Sequence, residues 1–267
     1  MGEVIVITSG KGGVGKTTNT ANIGTALADI GKKVVVVDGD TGLRNLDILM
    51  GLENRIVYNL IDVIEEKCSL KQALIKDKKY ENLYLLSTSQ TKNKNDIKPE
   101  QMSKLIDELK CKFDYILIDS PAGIEQGFDN ATIGADRALV VVNPELTSIR
   151  DAYRVIGMLD NKGIKNNRVI VNKIDYEMVK NGEMLDADDI VNNLDIELIG
   201  IVPIDKSITI STNKGQPITL NRNSKVGRAF SEIAIRIIGE EVPFEFYKTN
   251  DSGFVDVIRN LFVTKHF

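Results

Sequence analysis

The sequence predicts an α/β protein with a doubly wound, mostly parallel sheet and helices on both faces. Three observations carry that expectation. Short β-branched apolar runs, Glu3 to Thr8 (EVIVIT) and Lys33 to Val37 (KVVVV) foremost, are continuous rather than alternating, as strands buried on both faces require. Segments of helical length and periodicity fall between such runs. Several of the runs end in a carboxylate or a small-residue turn, and ligands of open α/β sheets bind beyond the carboxyl ends of the strands.

The first of these connections organises the chain. After Thr8 comes Ser9-Gly10-Lys11-Gly12-Gly13-Val14-Gly15-Lys16-Thr17-Thr18, then an alanine-rich amphipathic helix to about Ile30. The spacing G-x-x-x-x-G-K-T is met by Gly10, Gly15, Lys16 and Thr17. Glycines let consecutive backbone N–H groups turn inward around phosphate oxygens, and the helix N-terminus adds its partial positive charge. Lys16 is expected to reach the β- and γ-phosphates and Thr17 to ligate Mg²⁺, with Gly12, Gly13, Val14 and Thr18 completing the cradle. A glycine-rich turn without a ligand is the bland alternative; the flanking strand and helix argue against it.

Lys11 is a second cation, near the start of the loop, where an ordinary phosphate cradle needs none. KGGVGKTT, residues 11–18, resembles the deviant Walker A loop of the MinD/ParA family of ATPases. That resemblance implies a P-loop NTPase fold, ATP and Mg²⁺ as ligands, and a homodimer formed face to face on ATP binding. In such a dimer Lys11 crosses to the partner's phosphates.

Composition limits the rest. The 267 residues suit one α/β domain, expected to stop near residue 246, and the net charge of −4 marks no general nucleic-acid binder. Cys68 and Cys111 lie outside any C-x-x-C pattern, which argues against a structural zinc or a disulfide framework and fits a reducing cytoplasm. The sole histidine, His266, is one residue from the end, so histidine catalysis is effectively excluded. The first strand begins at once, leaving no room for a signal peptide, and no apolar run is long enough to span a bilayer.

The second strand ends in Asp38-Gly39-Asp40, beside the phosphates, where carboxylates serve water-mediated Mg²⁺ contact or position the attacking water; capping of the next helix is the alternative. With the following GLRNLD this resembles the family's first switch segment, which assigns the water to Asp40 and leaves Asp38 to the metal. Tyr58 to Glu66 and Ser69 to Ile75 read as short helices, the second capped by Ser69. Leu83 to Ser87 reads as a strand, Thr88 to Asp96 as a solvated loop, and Pro99 to Cys111 as a helix. Phe113 to Ile118 then leads into Asp119-Ser120-Pro121-Ala122-Gly123, a buried strand ending where a Walker B carboxylate belongs. Gly123 would bring a backbone N–H to the γ-phosphate. DSPAGIE also resembles the family's second switch, in its MinD branch.

Arg137 to Val142 continues the sheet, and the helix from Leu146 to Asn161 carries Ser148, Arg150, Asp151 and Arg154 among its expected exposed residues. Surface charge is the default reading; the resemblance makes this region part of the dimer face and of the docking site for activating partners. The last strands, Asn167 to Val171 and Glu197 to Val202, lead into Asn172 and into Pro203-Ile204-Asp205. The resemblance places the adenine there, on Asn172 and Pro203 with Asp205 close by; ordinary turn chemistry explains these residues equally well. Ser224 to Gly239 reads as an amphipathic helix with Gly239 just past its end.

Residues 247–253 read as a flexible linker, and 254–267 as a short amphipathic helix. Phe254, Val257, Ile258, Leu261 and Phe262 recur at three- and four-residue spacing, too short a helix to span a membrane but suited to lying in its surface. Docking on its own domain is the alternative. Members of the MinD branch end in such a membrane-targeting helix, and the resemblance implies a protein cycling between cytoplasm and the inner face of the cell membrane. From Lys248 to Phe267 the side chains sum to only +1, so apolar burial must supply most of the tail's affinity. The resemblance further implies ATP hydrolysis that is slow and activator-stimulated, a MinC-like division inhibitor, a MinE-like activator, and a role in placing the septum.

Rival readings share the loop. A ParA-type DNA-partition ATPase needs a basic surface that the acidic balance does not offer, and an iron–sulfur relative needs paired cysteines. A MinD-like ATPase controlling flagellar number shares both switch and tail. A membrane scaffold that binds ATP without turning it over is opposed by the intact Lys16, Asp40 and Asp119.

Overall fold

The computed structural model describes residues 1–40, 44–89, 97–123, 126–221 and 223–244. An eight-stranded sheet runs through it in the order β3-β4-β2-β5-β1-β6-β7-β8. The strands are β1 (Glu3–Thr8), β2 (Val34–Asp38), β3 (Ile75–Lys76), β4 (Leu83–Leu86), β5 (Tyr115–Asp119), β6 (Arg137–Val142), β7 (Asn167–Ile174) and β8 (Glu197–Pro203). Every pairing is parallel except that of β3 on β4. From β1 the chain builds toward one edge, returns through β5, and then builds toward the other, so the order reverses beside β1.

Because successive strand residues face opposite sides, the sheet divides its apolar residues between two layers. Val4, Val6, Val35, Val37, Ile116 and Ile118 pack on one side, against α5 (Pro99–Lys110), α7 (Leu146–Asn161) and α9 (Ala187–Leu194). Ile5, Ile7, Val34, Val36 and Leu117 face the other, under α1 (Lys16–Asp29) and α11 (Lys225–Ile237). These strand residues are wholly buried, and each contributes roughly 1.5–3 kcal/mol. That burial fixes the register, and the register sets the level at which each strand end meets its ligand.

Most expected elements stand, with informative differences at their ends. The helix expected from Tyr58 to Glu66 is shorter, α3 (Leu60–Ile64): Asn59 accepts hydrogen bonds from the Ile61 and Asp62 N–H groups while Asp62 accepts from the Asn59 N–H. This reciprocal cap starts the helix two residues late. The next, α4 (Leu70–Ala73), follows Ser69 as expected but does not reach Ile75, which pairs with Leu85 in the antiparallel edge strand β3. An open sheet edge captured residues whose local pattern suits a helix. The fifth strand starts at Tyr115 rather than Phe113, whose ring packs edge-on against Tyr84 at 5.4 Å. Thr88 and Ser89, expected in a solvated loop, are buried; residues 90–96 of that loop lie outside the described residues. Short helices α2 (Leu46–Met50), α6 (Gln126–Thr132), α8 (Tyr176–Lys180) and α10 (Lys206–Asn213) fall in segments with no clear periodicity.

The last helix, α11, is capped by Ser224 and ends before Gly239 at φ 90°. Buried Arg236 donates to the carbonyls of Val242 and Pro243 and lies 3.8 Å over the Phe244 ring, tying down the last described residues. The linker and the tail residues Phe254, Val257, Ile258, Leu261 and Phe262 lie outside them. No described helix is long and apolar enough to cross a membrane.

Candidate nucleotide-binding site

Residues 9 to 15 leave β1 and enter α1 through Gly15, which caps the helix at φ 103° with no side-chain cap. The first N–H groups of α1 therefore keep their capacity for an anion, and its first turn has no acidic residue. A Cβ at Gly15 would meet the Asn172 amide nitrogen at 2.4 Å, so backbone angle and packing both demand glycine here. Lys16 is almost wholly buried, and its ammonium donates to the Ser9 hydroxyl at 3.0 Å. Burial pushes its pKa down, while Asp119 and Asp40 act to raise it.

The carboxylates come together across the sheet. Asp38 ends β2 opposite Asp119 at the end of β5, and Asp119 lies level with Ile7 of β1. Both aspartates are 1 % exposed. Burial, and then the charge of Asp119, pushes the Asp38 carboxyl up to about 8. Burial pushes Asp119 to about 7 against the hydroxyl of Thr17, the charge of Lys16 and the hydroxyl of Thr20, which donates to its Oδ1 at 3.3 Å. Asp38 Oδ1 accepts from the Asp40 N–H at 3.0 Å, whereas the buried Asp38 Oδ2 has no partner at hydrogen-bond distance among the described residues. A buried acid pair with an orphaned oxygen, next to a threonine hydroxyl, fits Mg²⁺. Among the described residues no three acidic, cysteine or histidine side chains cluster as a metal cage.

Asp40, half-buried, stands at the same rim. Gly123 follows the Ser120-Pro121-Ala122 turn at φ 87°, and Ala122 approaches within 3.6 Å of where a Gly12 Cβ would be. The turn of residues 120–123 therefore borders the phosphate loop. Residues 41–43 and 124–125, of the segments expected to act as switches, lie outside the described residues.

On the far side, Asn172 pairs in register with Val202, one residue before Pro203, so these candidate base contacts occupy neighbouring strand ends. Asp205 caps α10, and the Ser207 N–H it accepts at 2.7 Å holds its carboxyl below the usual range. Asn172 has a further task. Its amide nitrogen donates to the Val14 carbonyl at 2.6 Å, and Asn143, turned with its nitrogen inward, reaches the same carbonyl at 3.2 Å.

Lys11 points out of the loop to Glu145, 3.0 Å away, with both side chains about half exposed. Glu145 precedes α7, whose expected exposed face needs correction: Ser148 is buried, accepting the Asn143 N–H at 3.1 Å. Asp151 is half-buried because Gly10 packs on it, a Cβ there falling 2.4 Å from its carbonyl oxygen. Helix α7 thus lies directly against the phosphate loop. Sequence reasoning missed Ser9, Thr20, Asn143 and Lys173; only Thr20 carried a signal, being one helical turn beyond Thr17 on the same face.

A glycine-rich loop after β1, where the strand order reverses, and an acid pair on β2 and β5 define a P-loop nucleotide-binding protein of the deviant Walker A class. A model of the AAA domain family matches residues 2–171. The septum site-determining protein MinD of Bacillus subtilis is 50% identical over 264 residues, covering 98% of each chain. Among solved structures, the MinC:MinD cell division protein complex of Aquifex aeolicus is similar at TM-score 0.86 and 52% identity, covering 92% of this chain and 99% of that one. The Pyrococcus horikoshii septum site-determining protein MinD, complexed with Mg-ADP, gives TM-score 0.80 at 31% identity, covering 89% and 96%. The chain belongs to the MinD family of septum site-determining proteins.

Proposed function

We propose that this protein is a Mg²⁺-dependent ATPase that places the division septum by switching between a cytoplasmic monomer and an ATP-bound dimer on the inner face of the cell membrane. The observation that carries this reading is Lys11, held at the rim by Glu145 instead of folded into its own loop. An exposed ion pair of this kind is worth at most about 1 kcal/mol, so Lys11 is readily given up to a facing subunit's phosphates.

Thr17, with Asp119 and Asp38 through water, would hold Mg²⁺, which when bound neutralises charge on the phosphates. The residues of the chain do the rest. Lys16 and the loop N–H groups hold the β- and γ-phosphates, Lys11 of the facing subunit adds charge there, and Asp40 orients the water in line with the departing ADP. Gly123 senses the γ-phosphate through its backbone N–H. Asn172, Pro203 and Asp205 surround the adenine, with Asn172 keeping its oxygen and its second N–H for the base while the first N–H holds the Val14 carbonyl.

Residues 1–246 form the ATPase domain, 247–253 the linker and 254–267 the membrane-targeting helix in this reading. One short helix binds lipid marginally, and two on one dimer bind far better through effective concentration. The ATP dimer recruits a MinC-like inhibitor, as the Aquifex complex suggests by its composition, and a MinE-like activator ends the cycle by stimulating hydrolysis. Liposome co-sedimentation with ADP and with ATP tests the whole cycle. Full-length protein should sediment with ATP only; Lys16→Gln should not sediment with either. Equal sedimentation of the ADP and ATP forms would sink the reading.

A further inference from the structure

The strand that carries the base-side asparagine is interrupted at the next residue. Register on β8 shifts between Asn172 and Ile174, leaving Lys173 as a bulge, and Lys173 adopts φ 62°. A lysine gains nothing locally from the left-handed region, and bulges beside sites serve to re-aim a side chain. Here the re-aimed ammonium donates to the Gly13 carbonyl at 2.8 Å, 160 residues back in sequence. Its neighbour Asn172 meanwhile holds the Val14 carbonyl.

Consecutive residues of β7 thus grip consecutive carbonyls of the phosphate loop. In a trans peptide the C=O and the following N–H point in opposite directions. Gripping the Gly13 carbonyl therefore turns the Val14 N–H away from β7, and gripping the Val14 carbonyl does the same for the Gly15 N–H. These N–H groups are the ones a phosphate cradle needs facing inward. Gly13 itself stands in open space, nothing lying within 4 Å of a Cβ built on it.

We propose that Lys173 is a positioning residue for the triphosphate: it acts through the Gly13 carbonyl to hold the loop in its anion-binding form, and the strained bulge exists to deliver it. This rests on the reading of the loop as the ATP site and adds to it a residue outside the motif. The test compares full-length wild type with Lys173→Met, Lys173→Arg and Lys173→Gly. Fluorescent-ATP displacement gives affinities for ATP and for inorganic tripolyphosphate, which has no base, and thermal melting of the ligand-free protein reports the fold. Lys173→Met should weaken both ligands equally, by about fivefold. Lys173→Arg, which keeps a charged donor, should restore most of the loss. Lys173→Gly should bind as weakly as the Met variant yet melt no lower than wild type, because glycine relieves the backbone.

Unchanged affinity in Lys173→Met overturns the proposal. So does a loss for ATP without one for tripolyphosphate, which would put the lysine on the base, or a loss accompanied by a matching fall in melting temperature, which would make it a structural brace. If wild type itself binds neither ligand, the ATP reading of the site fails instead.

Discussion

Asp38 and Asp119 stand opposite each other at the ends of neighbouring parallel strands, both all but sealed from water, and one oxygen of Asp38 has no donor at hydrogen-bond distance among the described residues. Two buried carboxyls side by side are an electrostatic cost the ligand-free fold carries.

That cost has a direction in pH. Both groups are raised, Asp38 to about 8 and Asp119 to about 7, so below about 4 they are protonated in folded and unfolded chains alike. As pH climbs from there, the unfolded chain sheds these protons first, and stability falls until the folded carboxyls ionise. The ligand-free protein should therefore lose melting temperature between pH 5 and about 8 on account of these groups. Asp38→Asn should flatten that slope and raise melting at pH 8, each recovered kcal/mol being worth about 2–4 °C. Calorimetry across the range checks it; a steeper slope in the variant would refute the assignment.

Asp40→Ala should leave ATP binding intact and lower lipid-stimulated phosphate release by roughly a hundredfold or more, the usual scale for a group that orients a reacting water. A phosphate-release assay beside a binding titration separates the two effects. A matched loss of binding would instead make Asp40 part of the nucleotide cradle.

Lys11→Ala should abolish the ATP-dependent dimer, read by light scattering in a hydrolysis-blocked background, while changing stability by less than about 1 kcal/mol because its pair with Glu145 is exposed. Glu145→Ala frees the lysine and should leave dimerisation intact. A dimer that survives Lys11→Ala would remove the lysine from the interface.

Gly15→Ala should fail on two counts, a Cβ 2.4 Å from the Asn172 nitrogen and a backbone at φ 103°. Urea unfolding should show a loss of about 1–3 kcal/mol, with ATP affinity falling too. Wild-type stability in the variant would mean the loop relaxes more easily than its contacts imply.

A chain ended at Gly253 should bind ATP like the full chain and lose liposome binding. Retained sedimentation would move lipid contact into the globular part.

The phosphate loop was legible because its chemistry is local: glycines, lysine and threonine at fixed spacing between a strand and a helix say what they bind before anything else is known. Asp38 and Asp119 were legible for a similar reason, each ending a continuous apolar run. Asn143 and Lys173 were not, since nothing near them in sequence distinguishes a strand-end asparagine or lysine that grips a loop from one that meets water. Ser148 was misjudged because a helix-start serine looks exposed until the strand end folds over it and the Asn143 N–H donates to its hydroxyl.

The sequence by itself determined the fold class, the loop and the family likeness, because buried runs, glycine spacing and strand-end acids are written in the order of residues. Tertiary structure alone decided that Asp38 faces Asp119, that Gly10 packs on Asp151, and that Asn172 and Lys173 hold the loop they were never adjacent to. Those relations depend on which strands become neighbours and in what register. Register is set by the sum of burial over the whole sheet, a quantity no local stretch of residues contains.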